Sequence, residues 1–177
     1  MRITGGSLRG RVIKVPPGVI RPTMDRMRES MFSILGPLHG LAFLDLFGGS
    51  GIVALEASSR GAAPVVTVEK DRRKSRVVLE NLAISPTTIE THFVPAERYV
   101  QATRNRQFDI IYLDPPFNYG HSADLLRRIA HSRLVHPETL ILIHHPGTEL
   151  GVPDGLAHAE TRMYGGSHLD FFSIAPL

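Results

Sequence analysis

The chain has 177 residues, 42% of them hydrophobic, and a formal net charge of +3, which suits one domain with a substantial core. No apolar run approaches membrane-spanning length, and the N-terminus lacks the apolar segment of a secretory signal, so a cytoplasmic protein is expected. The lack of cysteine excludes disulfides and thiolate metal sites, and the nine histidines show no H-E-x-x-H or similar spacing, so no metal is expected.

The charge is unevenly placed. Residues 1–28 hold seven basic side chains (Arg2, Arg9, Arg11, Lys14, Arg21, Arg26 and Arg28) against one acid, Asp25, a net +6 that leaves −3 for the rest. Arginine dominates, and its flat guanidinium fork suits bidentate phosphate contacts. A basic arm on a mildly acidic body reads as a polyanion-binding surface, with a merely solvated basic face as the plain alternative.

Arg2 to Thr4 and Arg11 to Val15 read as the strands of a small hairpin broken by Gly5-Gly6 and Gly10, and Pro16-Pro17-Gly18 ends that unit. Arg21-Pro22-Thr23 is expected to be an extended loop, because the residue before proline is pushed out of the helical region. Met27, Met31, Ile34 and Leu35 recur at helical spacing, with Thr23 or Asp25 as a cap and Gly36-Pro37 as the stop.

From Leu41 the pattern alternates. Strands are expected at Ala42 to Phe47, Val65 to Glu69, Ile89 to Val94, Phe108 to Leu113 and Thr139 to His144. Between them fall helices from Ile52 to Arg60 (stopped at Gly61), from Asp71 to Leu82, near Glu97 to Thr103, and from Ala123 to Ser132. Val78, Leu79 and Leu82 are expected on one buried face. Ala157 to Tyr164 and Leu169 to Ile174, split by Gly165-Gly166, read as a closing antiparallel hairpin. The fold class is therefore α/β: a mostly parallel sheet with helices on both faces. In such sheets ligands bind beyond the strand C-termini.

Two stretches carry chemistry. In Leu44-Asp45-Leu46-Phe47-Gly48-Gly49-Ser50-Gly51 an apolar strand breaks into glycines and restarts as a helix, which exposes backbone N–H groups to a ligand. Gly49 to Ala54 matches a loose G-x-G-x-x-A fingerprint, and Glu69 closes the next strand where an acid receives ribose hydroxyls. Asp45, buried before the glycines, needs a partner: the cationic end of a ligand or the loop's own N–H groups. Neither a nucleophile elbow nor a P-loop fits, since Ile52 stands where glycine is required and no G-x-x-x-x-G-K-[ST] occurs. His144-His145 reads as a strand end entering a loop.

Asp114-Pro115-Pro116-Phe117 follows a strand directly. Two prolines stiffen the loop, Asp114 and a backbone carbonyl become acceptors, and Phe117 offers a flat apolar face. Acceptors for an –NH₂ group beside a stacking ring make a receptor for the amine edge of a nucleobase.

Together these motifs resemble class I S-adenosylmethionine-dependent methyltransferases that modify amino groups. Arg2-Ile3-Thr4-Gly5-Gly6, Leu8-Arg9-Gly10-Arg11, Arg21-Pro22-Thr23, Arg28-Glu29-Ser30-Met31-Phe32 and the closing Tyr164-Gly165-Gly166-Ser167 are similar to RsmD-type 16S rRNA guanine-N2 methyltransferases. The resemblance implies a Rossmann-like, seven-stranded sheet and methylation of one guanine amine in small-subunit rRNA. It divides the chain into a basic arm (1–38) and a methyltransferase domain (39–177).

It also implies site roles. Asp45, Phe47, Gly48, Gly49, Ser50, Gly51, Glu69, Lys70, Ala96 and Glu97 would hold S-adenosyl-L-methionine. Asp114, Pro115, Pro116 and Phe117 would receive the target amine. Arg2, Arg9, Arg11, Arg21, Thr23, Arg26 and Arg28 would grip 16S rRNA, in the small subunit or its assembly intermediate, with the protein a monomer. Pro95 stands where the family usually has Asp or Asn for the adenine amine, so Glu97 or backbone must take that part. Competing readings are an adenine-N6 DNA methyltransferase, an NAD-dependent oxidoreductase and a non-catalytic RNA-binding module.

Overall fold

In the computed structural model, residues 1–16, 22–147 and 150–176 are described, and of Pro22, Thr23 and Met24 only the helical backbone. Arg21, Pro17-Gly18 and the side chain of Thr23 thus lie outside the described residues.

Helix α1 (Pro22–Leu35) begins at the proline itself, with Asp25 in its first turn. The expected extended loop at Pro22-Thr23 is therefore corrected. Proline's fixed φ and missing N–H suit a first helical position, where no intrahelical donor is needed. Asp25 likewise sits inside the helix, pairing with Arg28 at 2.9 Å rather than capping.

Five strands with four helices between them follow: β1 (Phe43–Asp45), α2 (Ile52–Ser59), β2 (Val65–Val68), α3 (Ser75–Leu82), β3 (Ile89–His92), α4 (Ala96–Ala102), β4 (Ile110–Leu113), α5 (Ser122–Ala130) and β5 (Leu140–Pro146). The chain ends in β6 (Leu156–Tyr164) and β7 (Ser167–Ile174). Asp71 does cap the turn before α3, accepting from the Arg73 N–H at 3.1 Å. Leu79 does not join Val78 and Leu82 in the core; it is 51% exposed, because it faces away from α2.

The seven strands form one sheet in the order β3-β2-β1-β4-β5-β7-β6. β1 to β5 are parallel, while β7 runs antiparallel to both β5 and β6. Successive strand residues face opposite ways, and the core divides accordingly. Phe43, Val65, Ile110, Tyr112 and Leu142 pack with α1, α2 and α3, whereas Leu44, Val66, Ile111, Leu113 and Ile143 pack with α4 and α5. Strand order reverses between β1 and β4, so the ligand crevice of an open α/β sheet opens there.

The expected N-terminal hairpin is present in short form: an antiparallel bridge joins Arg2 to Val12, with the Ile3 N–H donating to the Arg11 carbonyl and the Ile13 N–H to the Met1 carbonyl, each at 2.9 Å. Its glycine-rich turn is held by α2: the Ser59 hydroxyl donates to the Gly5 carbonyl at 2.7 Å and accepts from the Leu8 N–H at 2.8 Å. Ile3, Ile13, Met27, Met31 and Phe32 share one hydrophobic cluster with Phe43, Leu55 and Val65, so these residues of the first segment and of α1 pack as part of the same core. Among the described residues no helix is long and apolar enough to cross a membrane.

Candidate active site

Four strand ends converge at the crevice, and each delivers a polar side chain. β1 ends at Asp45 and runs into the glycine turn. The bend is tight: Gly51 adopts φ +83 at the N-cap of α2, and a Cβ on Gly48 would collide with the Thr67 hydroxyl oxygen. A side chain at Gly48 would push the turn off β2, while Gly49 and Gly51 take the positive φ that glycine adopts without strain.

Glu69 follows β2, 7% exposed. Its Oε2 accepts from the Gly49 N–H and its Oε1 from the Asp71 N–H, both at 2.8 Å. Glu69 therefore braces the glycine turn from the neighbouring strand, and Lys74 lies 3.5 Å from the same carboxylate. Ser50 is buried beneath the turn, its hydroxyl 3.3 Å from the Met1 sulfur, while Lys70 is exposed. The start of the basic arm thus reaches the turn itself.

Asp45 is 1% exposed and accepts from the Phe47 N–H at 3.2 Å and the Thr67 hydroxyl at 3.5 Å. Burial, reinforced by the Asp114 and Glu69 carboxylates, pushes its carboxyl from the ordinary 3.8 up to about 8. Nearby, the Tyr112 hydroxyl is buried and has no hydrogen-bond partner among the described residues. Burial first, then Asp114 and Asp45, raise that phenol well above its ordinary value. An acid held neutral, an orphaned hydroxyl and a glycine cradle fit a cationic ligand that ionises the acid on arrival.

The linkage has a definite sign. A carboxyl whose folded value lies above its unfolded one contributes stability below the unfolded value, and that stability is lost as pH rises to the folded one. We therefore expect the melting temperature of Asp45→Asn to gain on the unmodified chain between pH ~4 and ~8 and to hold level above that. A difference that stays constant across the range, followed by thermal melts, would contradict the assignment.

The second motif leaves β4. Asp114 is half-buried, Pro115 buried, and Pro116 and Phe117 exposed. Asp114 Oδ1 lies 2.9 Å from His144 Nδ1. His144 and His145 do not end the strand as expected but stay inside β5, because β7 pairs with it as far as Pro146. The loop continues to Tyr119, whose ring packs edge-on against Phe47 of the glycine turn, with centroids 5.5 Å apart. The Tyr119 hydroxyl donates to Glu97 near the start of α4, which opens at Ala96. Burial and this carboxylate raise the Tyr119 phenol. Phe47, Tyr119 and Glu97 thus tie the two motifs together. A cavity of about 260 Å³ opens beside the loop, lined by residues including Pro115, Pro116, Phe117, Tyr119 and His145.

Two residues escaped sequence reasoning. Tyr119 sits just beyond the proline motif, where only proximity signalled it. His144 looked like an apolar strand's polar end, and nothing in its spacing pointed to Asp114. One expectation is overturned: Arg28 is 2% exposed. Its Nε donates to Glu56 and its Nη1 to Asp25, each at 2.9 Å, and its Nη2 to the Arg2 carbonyl at 2.7 Å. Burial removes it from the phosphate-gripping set. Arg2, Arg9, Arg11 and Arg26 are exposed.

The family model described as "Conserved hypothetical protein 95" matches residues 1–173. "Ribosomal RNA small subunit methyltransferase D" of Escherichia coli (strain K12) is 35% identical over 156 residues, which cover 86% of this chain and 78% of that protein. "Putative rRNA methyltransferase YlbH" of Bacillus subtilis is 34% identical over 151 residues, 82% of each chain. The solved structure of the putative methyltransferase yhhF from Escherichia coli superposes with a TM-score of 0.87 at 31% identity, covering 98% of this chain and 97% of that one. A family model over nearly the whole chain and relatives above 30% identity agree with the seven-stranded sheet, and the chain belongs to the Conserved hypothetical protein 95 family, the RsmD-type methyltransferases.

Proposed function

We propose that this chain transfers a methyl group from S-adenosyl-L-methionine to the exocyclic N2 amine of a guanine in 16S rRNA, acting as a cytoplasmic monomer. The observation that carries the reading is the convergence of Asp114, held from behind by His144, with a braced glycine turn at one sheet crevice. When bound, the cofactor supplies an electrophilic methyl on a sulfonium. Everything else falls to the chain: holding, orienting and accepting.

In this reading Glu69 keeps its oxygens toward Gly49 and Asp71 and offers the remaining lone pairs to the ribose hydroxyls. Asp45, the glycine turn (Phe47 to Gly51) and the exposed Lys70 take the methionine end. Ala96 and Glu97, at the start of α4, take the adenine, since Pro95 has no side-chain donor or acceptor. Asp114 and the Pro115 carbonyl accept the two amine hydrogens, which turns the nitrogen lone pair toward the methyl. Phe117 stacks on the flipped base.

Residues 1–38 form the RNA-binding extension. Arg2, Arg9, Arg11 and Arg26 meet phosphates, joined by Arg21 and Thr23. Arg9→Ala/Arg11→Ala is expected to lower the slope of log affinity against log salt by roughly 1.5 to 2, with turnover at saturating RNA little changed. A filter-binding titration at several salt concentrations measures it, and an unchanged slope would clear both side chains of phosphate contact.

The test of the function is transfer of labelled methyl from S-adenosylmethionine to small subunits, naked 16S rRNA and duplex DNA in parallel, followed by nucleoside analysis. N2-methylguanosine from an RNA sample is expected, and shows whether naked or assembled rRNA is read. N6-methyladenine in DNA alone would overturn the substrate.

A further inference from the structure

We infer that His144 is the positioning residue of the methyl-acceptor site, fixing both Asp114 and Phe117; the inference rests on the function proposed above. β5 lies beside β4 with Leu113 opposite Ile143, so Asp114, which leaves β4, and His144, the next residue of β5, are neighbours at the crevice. The His144 side chain is 1% exposed and serves three groups. Its Nδ1 is 2.9 Å from Asp114 Oδ1, and its Nε2 is 2.9 Å from the Ser167 hydroxyl oxygen. Its ring meets Phe117 edge-on, with centroids 5.6 Å apart and planes at 64°.

Donor counting sets the tautomer. A carboxylate only accepts, so a neutral His144 carries its proton on Nδ1 and donates it to Asp114. Nε2 then accepts from Ser167, which is 5% exposed at the start of β7. The Ser167 hydroxyl also lies 3.0 Å from the Tyr164 carbonyl. That carbonyl is its other available acceptor, so the serine can serve either nitrogen state of the ring without moving a heavy atom.

The consequence for the reaction is geometric. With Oδ1 held by His144, Asp114 presents Oδ2 to the target amine at one fixed angle. The same imidazole props the Phe117 ring that stacks on the base. Acceptor and stacking ring thus share one support, supplied by the neighbouring strand and closed by the hairpin. A histidine buried in an apolar strand is more often a satisfied core residue. Here its partners are the residues proposed to receive the amine.

Two near-isosteric replacements separate positioning from packing. Asparagine keeps an N–H donor at the position of Nδ1, whereas leucine keeps only volume. With small subunits and S-adenosylmethionine as substrates, His144→Leu is expected to lower kcat by about 30- to 100-fold, the cost of a misplaced reacting group. KM for the cofactor and Kd for S-adenosylhomocysteine should stay within about twofold of the unmodified chain, and His144→Asn should recover kcat to within about fivefold.

A His144→Leu chain with kcat within about threefold of normal, or a His144→Asn chain as slow as the leucine variant, overturns the inference. Should His144→Leu fail to fold, His144→Met takes its place as the variant without a donor, and the same thresholds against His144→Asn decide. An unmodified chain that binds S-adenosylhomocysteine yet methylates neither small subunits nor naked 16S rRNA overturns the proposed function itself. An active chain indifferent to His144 overturns only this inference.

Discussion

Replacing Asp114 with alanine is expected to lower kcat by about 10²- to 10³-fold, the scale seen when one preorganised polar group is removed from a reacting centre. The structure makes the change specific. Asp114 sits at the end of β4 between two prolines' worth of rigid loop and the buried His144, which is 2.9 Å from its Oδ1. No side chain in the described residues stands ready to take over its place at the crevice, and truncation also strands the His144 donor. The glycine turn and its brace are untouched, because Glu69 holds Gly49 and Asp71 without help from Asp114. Kd for S-adenosylhomocysteine should therefore stay within about threefold while kcat and kcat/KM fall together. Calorimetry and methyl-transfer kinetics on one preparation separate the two. Full turnover with normal cofactor affinity would remove Asp114 from the reaction.

The second large effect is on stability. Arg28→Met leaves Glu56, which is 0% exposed, without the guanidinium Nε that donates to it at 2.9 Å. Glu56 keeps Arg60 at 2.9 Å and the Thr4 hydroxyl and N–H. Breaking one partner from a buried pair typically costs about 3–5 kcal/mol, since a desolvated charge is left under-compensated. For a domain of this size that is a drop in Tm of roughly 10 °C. Glu56→Gln in the Arg28→Met background keeps acceptors for Thr4 and Arg60 but removes the charge, and should recover at least half the loss. Thermal melts of the single and double variants decide it. An unchanged Tm accompanied by weakened RNA binding would return Arg28 to the phosphate-contacting set.

That pair of results bears on how far a sequence can be read. The arginines of the first 28 residues are alike on paper. Arg2, Arg9, Arg11 and Arg26 reach solvent, while Arg28 falls on the buried face of α1 directly over Glu56 of α2. A helical wheel could have placed Arg28 one turn after Asp25 beside Met27 and Met31. Only the packing of α1 on α2 shows that an acid waits there. Pro22 taught a similar lesson, since local sterics restrict the residue before a proline but leave the proline free to begin a helix.

His144 and Tyr119 mark the other boundary. Both act through partners about 20 to 30 residues away, and neither lies in a spacing that signals function. The Asp114–His144 bond exists because β5 pairs with β4 in a particular register, and Ser167 completes it because β7 returns antiparallel to β5.

What the sequence determined by itself was local or periodic. The glycine turn, the proline-stiffened acceptor loop, the alternation of buried strands with helices and the closing hairpin follow from backbone conformational preferences and hydrophobic period, which neighbouring residues encode. The tertiary structure alone decided which charges are buried, which carboxylate braces which turn, and which histidine stands behind the acceptor acid. Those outcomes depend on strand order, register and helix packing, in which residues far apart in the chain meet and desolvate one another.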